Sequence, residues 1–86
     1  MFTMDDLGQA LRERRKLLGL SQLEVAKRNN ISRITINRLE NGRLPELGIR
    51  KIMMLCLSLG LELTLKEASP RPTLNDLIRE QESHYA

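Results

Sequence analysis

The sequence of 86 residues contains one cysteine and one histidine, and these shortages exclude several kinds of site. Cys56 cannot form an internal disulfide, so nothing in the chain requires an oxidising compartment. We interpret Cys56 as a small core residue, since it stands among apolar residues of a predicted helix. His84 has no second His or Cys at ligand spacing. We therefore predict no metal and no cofactor.

Long apolar runs and catalytic constellations are missing as well. No stretch of 18 apolar residues occurs, and the first dozen residues include Asp5, Asp6 and Gln9. We therefore expect neither a transmembrane helix nor a signal peptide, and a soluble cytoplasmic protein with no membrane partner. No Ser/His/Asp set or pair of catalytic carboxylates is visible, since Glu80 and Glu82 are most simply solvated charges. We do not expect an enzyme.

The charge of the chain is unevenly distributed. Residues 12–51 hold eleven Lys or Arg against four Glu, a local charge of +7, whereas residues 62–86 hold three basic and five acidic side chains, a local −2. The basic part fits a polyanionic partner and the acidic part does not. A chain of this length fits one domain with a modest core that a second copy would enlarge, so a homodimer is plausible from size alone.

The stretch from residue 21 to residue 42 predicts two short capped helices joined by a tight turn. Ser21 and Glu24 have the spacing of a capping box, and Ser32 and Gly42 have the residue types that begin and end a second helix. Asn30 suits the left-handed turn between them. This is the pattern of a helix-turn-helix. The apolar positions expected to hold its two helices together are Val25, Ala26, Ile31, Ile36 and Leu39.

Similar signals place the remaining helices. Thr3 is the expected N-cap of a first helix that Gly19 ends, and its expected apolar face comprises Met4, Leu7, Leu11, Leu18 and the stem of Arg14 or Arg15. The second helix is predicted from about residue 22 to 29, the third from about 33 to 41 and the fourth from about 49 to 59. Apolar residues of the fourth helix cover more than one stripe, so we expect it to contact both its own core and a second subunit through residues such as Met53.

Residues 7–60 resemble the Xre, or lambda-repressor-like, helix-turn-helix family. The matching strings run from Leu11 to Lys16, from Gly19 to Gln22 and from Ser32 to Gly42, with Asn30 in place of the usual turn glycine and Gly48 in place of the usual cap of the fourth helix. The resemblance implies an all-α domain of four to five helices that binds double-stranded DNA and regulates transcription. It further implies that Arg15 and Glu40 form an internal ion pair and that Gln22 binds a DNA phosphate, although Gln22 can also be a plain exposed residue.

The outward face of the third helix suits the base edges of a major groove. Arg33 can reach guanine, Ile34 a thymine methyl, Asn37 an adenine or a bridging water, and Arg38 a base or a phosphate. The alternative is an ordinary solvated helix face. Phosphate contacts flanking this helix are predicted for Arg28, Ser32, Thr35, Asn41 and Arg43.

Residues 61–66 alternate between leucine and polar residues, which is typical of a half-buried strand. Because a lone strand leaves its backbone groups unpaired, we predict pairing of Leu61, Leu63 and Leu65 with the same strand of a second copy, as an intersubunit sheet across a twofold axis. In this arrangement the chain resembles the HipB-like antitoxins, and the alternating pattern stands where the dimerising strand of that group does. The alternative is that the segment extends the fourth helix or forms a loop.

The sequence thus predicts a helix-turn-helix domain at 1–60, a dimerisation strand at 61–67 and, at 68–86, a linker, a short helix and a flexible tail. We expect an autorepressor that binds a palindromic operator, with the HipB resemblance implying an antitoxin of a type II toxin-antitoxin operon and a HipA-like kinase as its toxin partner. The tail residues expected to bind such a partner are Leu74, Leu77, Ile78 and Tyr85. The alternatives are a repressor without a toxin, an adaptor that uses the fold without base readout, and a disordered tail.

Overall fold

The computed structural model describes residues 2–68, which form four α-helices. They are α1 (Met4–Leu17), α2 (Gln22–Arg28), α3 (Arg33–Glu40) and α4 (Ile49–Ser58). Helix α3 packs against both α1 and α2, and α4 packs against α2. The described residues therefore have the all-α architecture that the sequence predicts, and none of their helices is long and apolar enough to cross a membrane.

The helices begin where the capping residues predict. The side chain of Thr3 accepts a hydrogen bond from the backbone of Asp6, and Ser21 accepts one from Glu24, each within a complete capping box. Ser32 accepts from the backbone of Thr35. These contacts satisfy N–H groups that the first turn of a helix leaves without an internal partner.

Each of the four described helices ends in the same reversal of the chain. The residue after the C-cap has a positive φ, and it is glycine in three cases and Asn30, with φ of 52°, at the end of α2. There the N–H of Ile31 donates to the carbonyl of Ala26 over 3.0 Å, and the N–H of Asn30 donates to that of Lys27 over 3.3 Å. This is the Schellman pattern, which lets α2 stop and the chain turn sharply into α3.

The core lies between the helices and is built from leucine, isoleucine, valine, alanine and Cys56. Two polar contacts tie α4 to it: Asn29 Nδ2 donates to Ser58 Oγ over 3.0 Å, and Arg14 Nε donates to the carbonyl of Leu59 over 2.8 Å. The buried apolar residues are Leu7, Leu11, Val25, Ala26, Ile36, Leu39, Ile52, Leu55, Cys56 and Leu59.

Two details differ from the sequence predictions. Leu18, expected on the buried face of α1, is 44% exposed, because it lies at the C-cap where the chain is already leaving the helix. Helices α2, α3 and α4 each end one residue before the predicted position, since the last residue in each prediction is the C-cap.

Residues 61–68 have no regular secondary structure in the single chain. Leu61 is half-buried against the core, whereas Leu63 is exposed and Leu65 is 97% exposed. Helix α4 is not extended into this segment, because Gly60 reverses the chain after Leu59. The predicted short helix and partner-binding tail lie beyond residue 68, outside the described residues.

Candidate nucleic-acid interface

Helix α3 has two chemically different sides. Ile36, Leu39 and Glu40 are buried, whereas Arg33 and Ile34 are exposed. Ile34 is 67% exposed although it is one of the most apolar residue types. An exposed isoleucine beside cationic and amide side chains matches the mixture of apolar and polar groups that base edges present in a DNA major groove. The four residues of this exposed side, here called the α3 face, are Arg33, Ile34, Asn37 and Arg38.

A buried ion pair fixes the C-terminal end of α3 against α1. Arg15 donates from Nε to Glu40 Oε2 over 2.7 Å and from Nη2 to Oε1 over 2.9 Å, and its Nη1 donates to the carbonyl of Leu20 over 2.8 Å. The Glu40 carboxylate is 3% exposed. Two parallel charge-assisted bonds orient both side chains. The hydrogen bonds with Glu40 raise the pKa of Arg15, and the guanidinium stays charged.

Gln22 is the first residue of α2 and lies against the C-terminal half of α3. Its Nε2 donates to Glu40 Oε1 over 3.1 Å, and its Oε1 accepts a long hydrogen bond of 3.4 Å from Asn37 Nδ2. The side chain is half-buried. Gln22 is therefore not a plain exposed residue, because it joins the buried ion pair to the α3 face. One Nε2 proton of its amide remains for a phosphate oxygen.

The other residues predicted to contact phosphates surround α3 and are exposed, except for Thr35, which is half-buried. The hydroxyls of Ser32 and Thr35 lie 2.8 Å apart and bond to each other at the start of α3. Asn41 Nδ2 donates to the backbone carbonyl of Asn37 over 2.9 Å at its end. Arg28, the last residue of α2, and Arg43, which follows the chain reversal at the end of α3, are both exposed.

Gly8 is a positioning residue that the sequence predictions did not include. A Cβ atom at this position would stand 1.8 Å from the carbonyl oxygen of Leu39 and 2.8 Å from its carbon. The backbone of α1 therefore lies directly on the last turn of α3, one residue before Glu40. The only available signal was a glycine inside a predicted helix, where it lowers helix propensity and thus needs a packing reason.

Within residues 2–68, no three His, Cys, Asp or Glu side chains are grouped so that they could hold a metal ion. The exposed groups of the α3 face and of the residues around it are cationic, amide and apolar. Such groups suit an anionic partner that displays an ordered pattern of hydrogen-bond donors and acceptors, as DNA does in its major groove.

The short helix α2, the tight turn at Asn30 and the exposed α3 face define a helix-turn-helix DNA-binding domain. A family model described as helix-turn-helix matches residues 11–66, and no curated protein matches the sequence significantly. The chain therefore belongs to this helix-turn-helix family, of the Xre and lambda-repressor-like type, and is a DNA-binding transcription regulator.

Proposed function

We propose that the chain binds a palindromic operator as a homodimer, through the α3 face, and represses transcription of its own operon. The observation that carries the proposal is the exposed Ile34 between Arg33 and the other polar residues of that face. Arg33 supplies two hydrogen bonds to guanine O6 and N7, and Ile34 covers a thymine methyl. Phosphate contacts from Arg28, Arg43 and the residues that cap α3 set the position of the helix in the groove.

Apolar side chains near the C-terminal end of the domain support the homodimer. Met53 on α4 is exposed, as are Leu63 and Leu65 in the segment that follows it. Pairing residues 61–67 with the same segment of a second copy covers these leucines and satisfies the backbone groups of both segments. Two α3 helices related in this way read half-sites spaced by about ten base pairs, one turn of B-DNA.

Selection of duplexes from a random pool, followed by footprinting, tests the DNA-binding part. We expect an inverted repeat with both half-sites protected at saturation. Arg33→Ala should relax the preference at one base pair in each half-site by about 1–3 kcal/mol. The matched variant Arg43→Ala should weaken binding to all sequences and lower the salt dependence by about one counterion. An Arg33→Ala protein that keeps the full sequence preference contradicts the proposal and favours an adaptor without base readout.

Sedimentation equilibrium tests the homodimer. Leu65→Glu places a charge on the face proposed to be covered, so the protein should become monomeric and lose cooperative operator binding. Thr64→Glu introduces the same charge on the alternate face of the same segment and should leave the dimer intact. Equal behaviour of both variants, or a wild-type protein that sediments as a single chain, contradicts the strand pairing.

We further propose a HipB-like antitoxin role for the same protein, with a HipA-like kinase as partner and no enzymatic activity of its own. The supporting observation is the spacing of Leu74, Leu77 and Ile78 in a part of the sequence that carries no DNA-binding motif. A chain cut after Ala68 should keep operator binding and lose co-purification with the protein encoded beside it. If the shortened chain still binds that protein, the partner interface lies on the helical domain instead.

A further inference from the structure

A chain of four polar side chains runs from the interior of the domain to the α3 face. Arg15 bonds to Glu40, Glu40 accepts from Gln22, and Gln22 accepts from Asn37. The exposure rises along this chain: Arg15 and Glu40 are buried, Gln22 is half-buried and Asn37 is exposed. An ordered interior group is thus connected to a residue that the proposed function places against a base.

The chemistry of the groups determines the direction of each bond. A carboxylate that faces an arginine is ionised and only accepts hydrogen bonds, so the Gln22 amide must turn its NH₂ group toward Glu40. The Gln22 oxygen then lies on the other side of the amide, where it can only accept. Asn37 must therefore present its own NH₂ group to Gln22. The negative charge of Glu40 therefore determines the orientation of both amides, although the nitrogen and oxygen of an isolated amide are nearly equivalent in shape.

We infer that Gln22 is a positioning residue that fixes the Asn37 amide so that Asn37 selects adenine over guanine. This inference rests on the proposed function of the α3 face. One amide proton of Asn37 is used by Gln22, which leaves its oxygen and its second proton for a base. That acceptor and donor match the N6 amino group and N7 of adenine, whereas guanine offers two acceptors, O6 and N7. A free asparagine amide can turn its NH₂ group toward guanine, and the fixed amide meets guanine with its oxygen instead.

A double-mutant cycle measured on DNA tests the inference. Asn37→Ala in the wild-type background first identifies the base pair that Asn37 reads, and affinities are then compared for duplexes with adenine or guanine at that position. Gln22→Met removes both hydrogen-bonding groups and keeps the length of the side chain, and Glu40 keeps both of its bonds to Arg15. Arg28→Met is the matched control, since it is an exposed residue on the same helix with a proposed phosphate contact and no hydrogen bond to Asn37 within residues 2–68.

We expect the wild-type protein to prefer adenine by about tenfold. Arg28→Met should bind all duplexes more weakly and keep this preference, whereas Gln22→Met should retain a preference of about twofold at most. In the Gln22→Met background, Asn37→Ala should then change the adenine preference little further. If the two substitutions change the adenine preference independently, the inference is overturned and the proposed function stands. The same holds if Asn37→Ala changes the preference at no base pair. A wild-type protein with no sequence preference at all overturns both.

A measurement without DNA provides a second test. In the NMR spectrum of the wild-type protein, the side-chain amide proton of Asn37 that faces Gln22 should resonate away from the value of the same proton in a solvated asparagine; the signals are assigned by their disappearance in Asn37→Ala. Gln22→Met, or Gln22→Ala if the methionine variant does not fold, should move one of the two resonances toward the value of a solvated amide. Unchanged resonances overturn the inference.

Discussion

Alanine at position 8 should destabilise the protein, although alanine is the better helix former. In an exposed helix interior, Gly→Ala adds about 1 kcal/mol of stability. Here the new Cβ would stand 1.8 Å from the carbonyl oxygen of Leu39, well below the 3.0 Å that real Cβ contacts respect. The obstacle is backbone and cannot change rotamer, so α1 and α3 must move apart by roughly 1 Å.

The two effects have opposite signs, and the structure decides which is larger. Overpacking that forces the backbone to shift costs about 1–3 kcal/mol, and an obstacle that is itself backbone places this contact in the upper part of that range, at about 2–3 kcal/mol. After the gain in helix propensity is subtracted, we expect Gly8→Ala to lower the free energy of unfolding by about 1–2 kcal/mol. Urea denaturation followed by far-UV circular dichroism measures this difference, because helix is the regular secondary structure of residues 2–68.

Gln9→Ala is the matched control for this experiment. It lies on the same helix, is exposed, and should change the free energy of unfolding by less than about 0.5 kcal/mol. We also expect Gly8→Ala to weaken operator binding, because the shift displaces the turn of α3 that carries Glu40. A Gly8→Ala protein as stable as the wild type, or more stable, would refute the close contact between the two backbones.

Three further predictions follow from single contacts. Arg15→Met leaves the buried Glu40 carboxylate with Gln22 as its remaining side-chain donor and should lower the free energy of unfolding by about 3 kcal/mol or more. The double variant Arg15→Met with Glu40→Leu should recover much of this loss. Urea denaturation measures both variants, and an Arg15→Met protein of wild-type stability contradicts the role of the ion pair. Gly48→Ser should add about 0.5 kcal/mol, because α4 begins without a side-chain cap and a Cβ there meets no atom within 4 Å; no rise in the melting temperature contradicts it. Burial raises the pKa of Cys56, because the ionised thiolate is disfavoured in the core. The contribution of the neutral thiol to stability is therefore fully present below the pKa of the unfolded chain and is lost as the pH rises through the pKa of the folded protein. The melting temperature should fall more steeply at alkaline pH for the wild type than for Cys56→Ala.

The helix-turn-helix itself was predictable because its signals are local. Ser21, Glu24 and Ser32 bond to backbone or side-chain groups three residues away, and Gly42 and Asn30 adopt their left-handed conformations within single turns. Each such interaction is complete within one segment of the chain. The sequence alone therefore determined where α2 and α3 begin and where the chain reverses.

The contacts that orient α3 were harder to predict from the sequence, because they join segments that are distant along the chain. The family resemblance named Arg15 and Glu40, but residue spacing alone gives no reason to pair two charges 25 positions apart. Gly8 resembled any weak helix former until its neighbour, the carbonyl of Leu39, was known. Leu18 fitted the helical period and lies exposed, since the period of a helix does not extend past its C-cap.

The alternation of Leu61, Leu63 and Leu65 is a local pattern whose structural outcome depends on a second strand. A ladder needs a partner for each backbone N–H and carbonyl. The N–H of Leu61 donates to the carbonyl of Cys56 at the end of α4, but no second strand lies beside residues 61–68 within the described chain. The half-buried Leu61 is held against the core, whereas Leu65 is almost fully exposed. This contrast is expected if the segment is anchored at one end by its own domain and covered at the other by a second copy.

We expect the two sides of α3 to have different roles, the buried side in stability and the exposed α3 face in DNA recognition, and the polar chain through Gln22 connects them. Substitutions on the buried side act on folding, since Ile36 and Leu39 lie in the core. Substitutions at Arg33 or Ile34 remove surface atoms and should leave the free energy of unfolding nearly unchanged. Gln22, on α2, contacts both sides of α3, because its amide nitrogen donates to the buried Glu40 carboxylate and its amide oxygen accepts from Asn37 on the exposed face. Under the proposed function, the buried charge of Glu40 thus determines the orientation of the Asn37 amide that reads a base, although Glu40 itself lies on the buried side of α3.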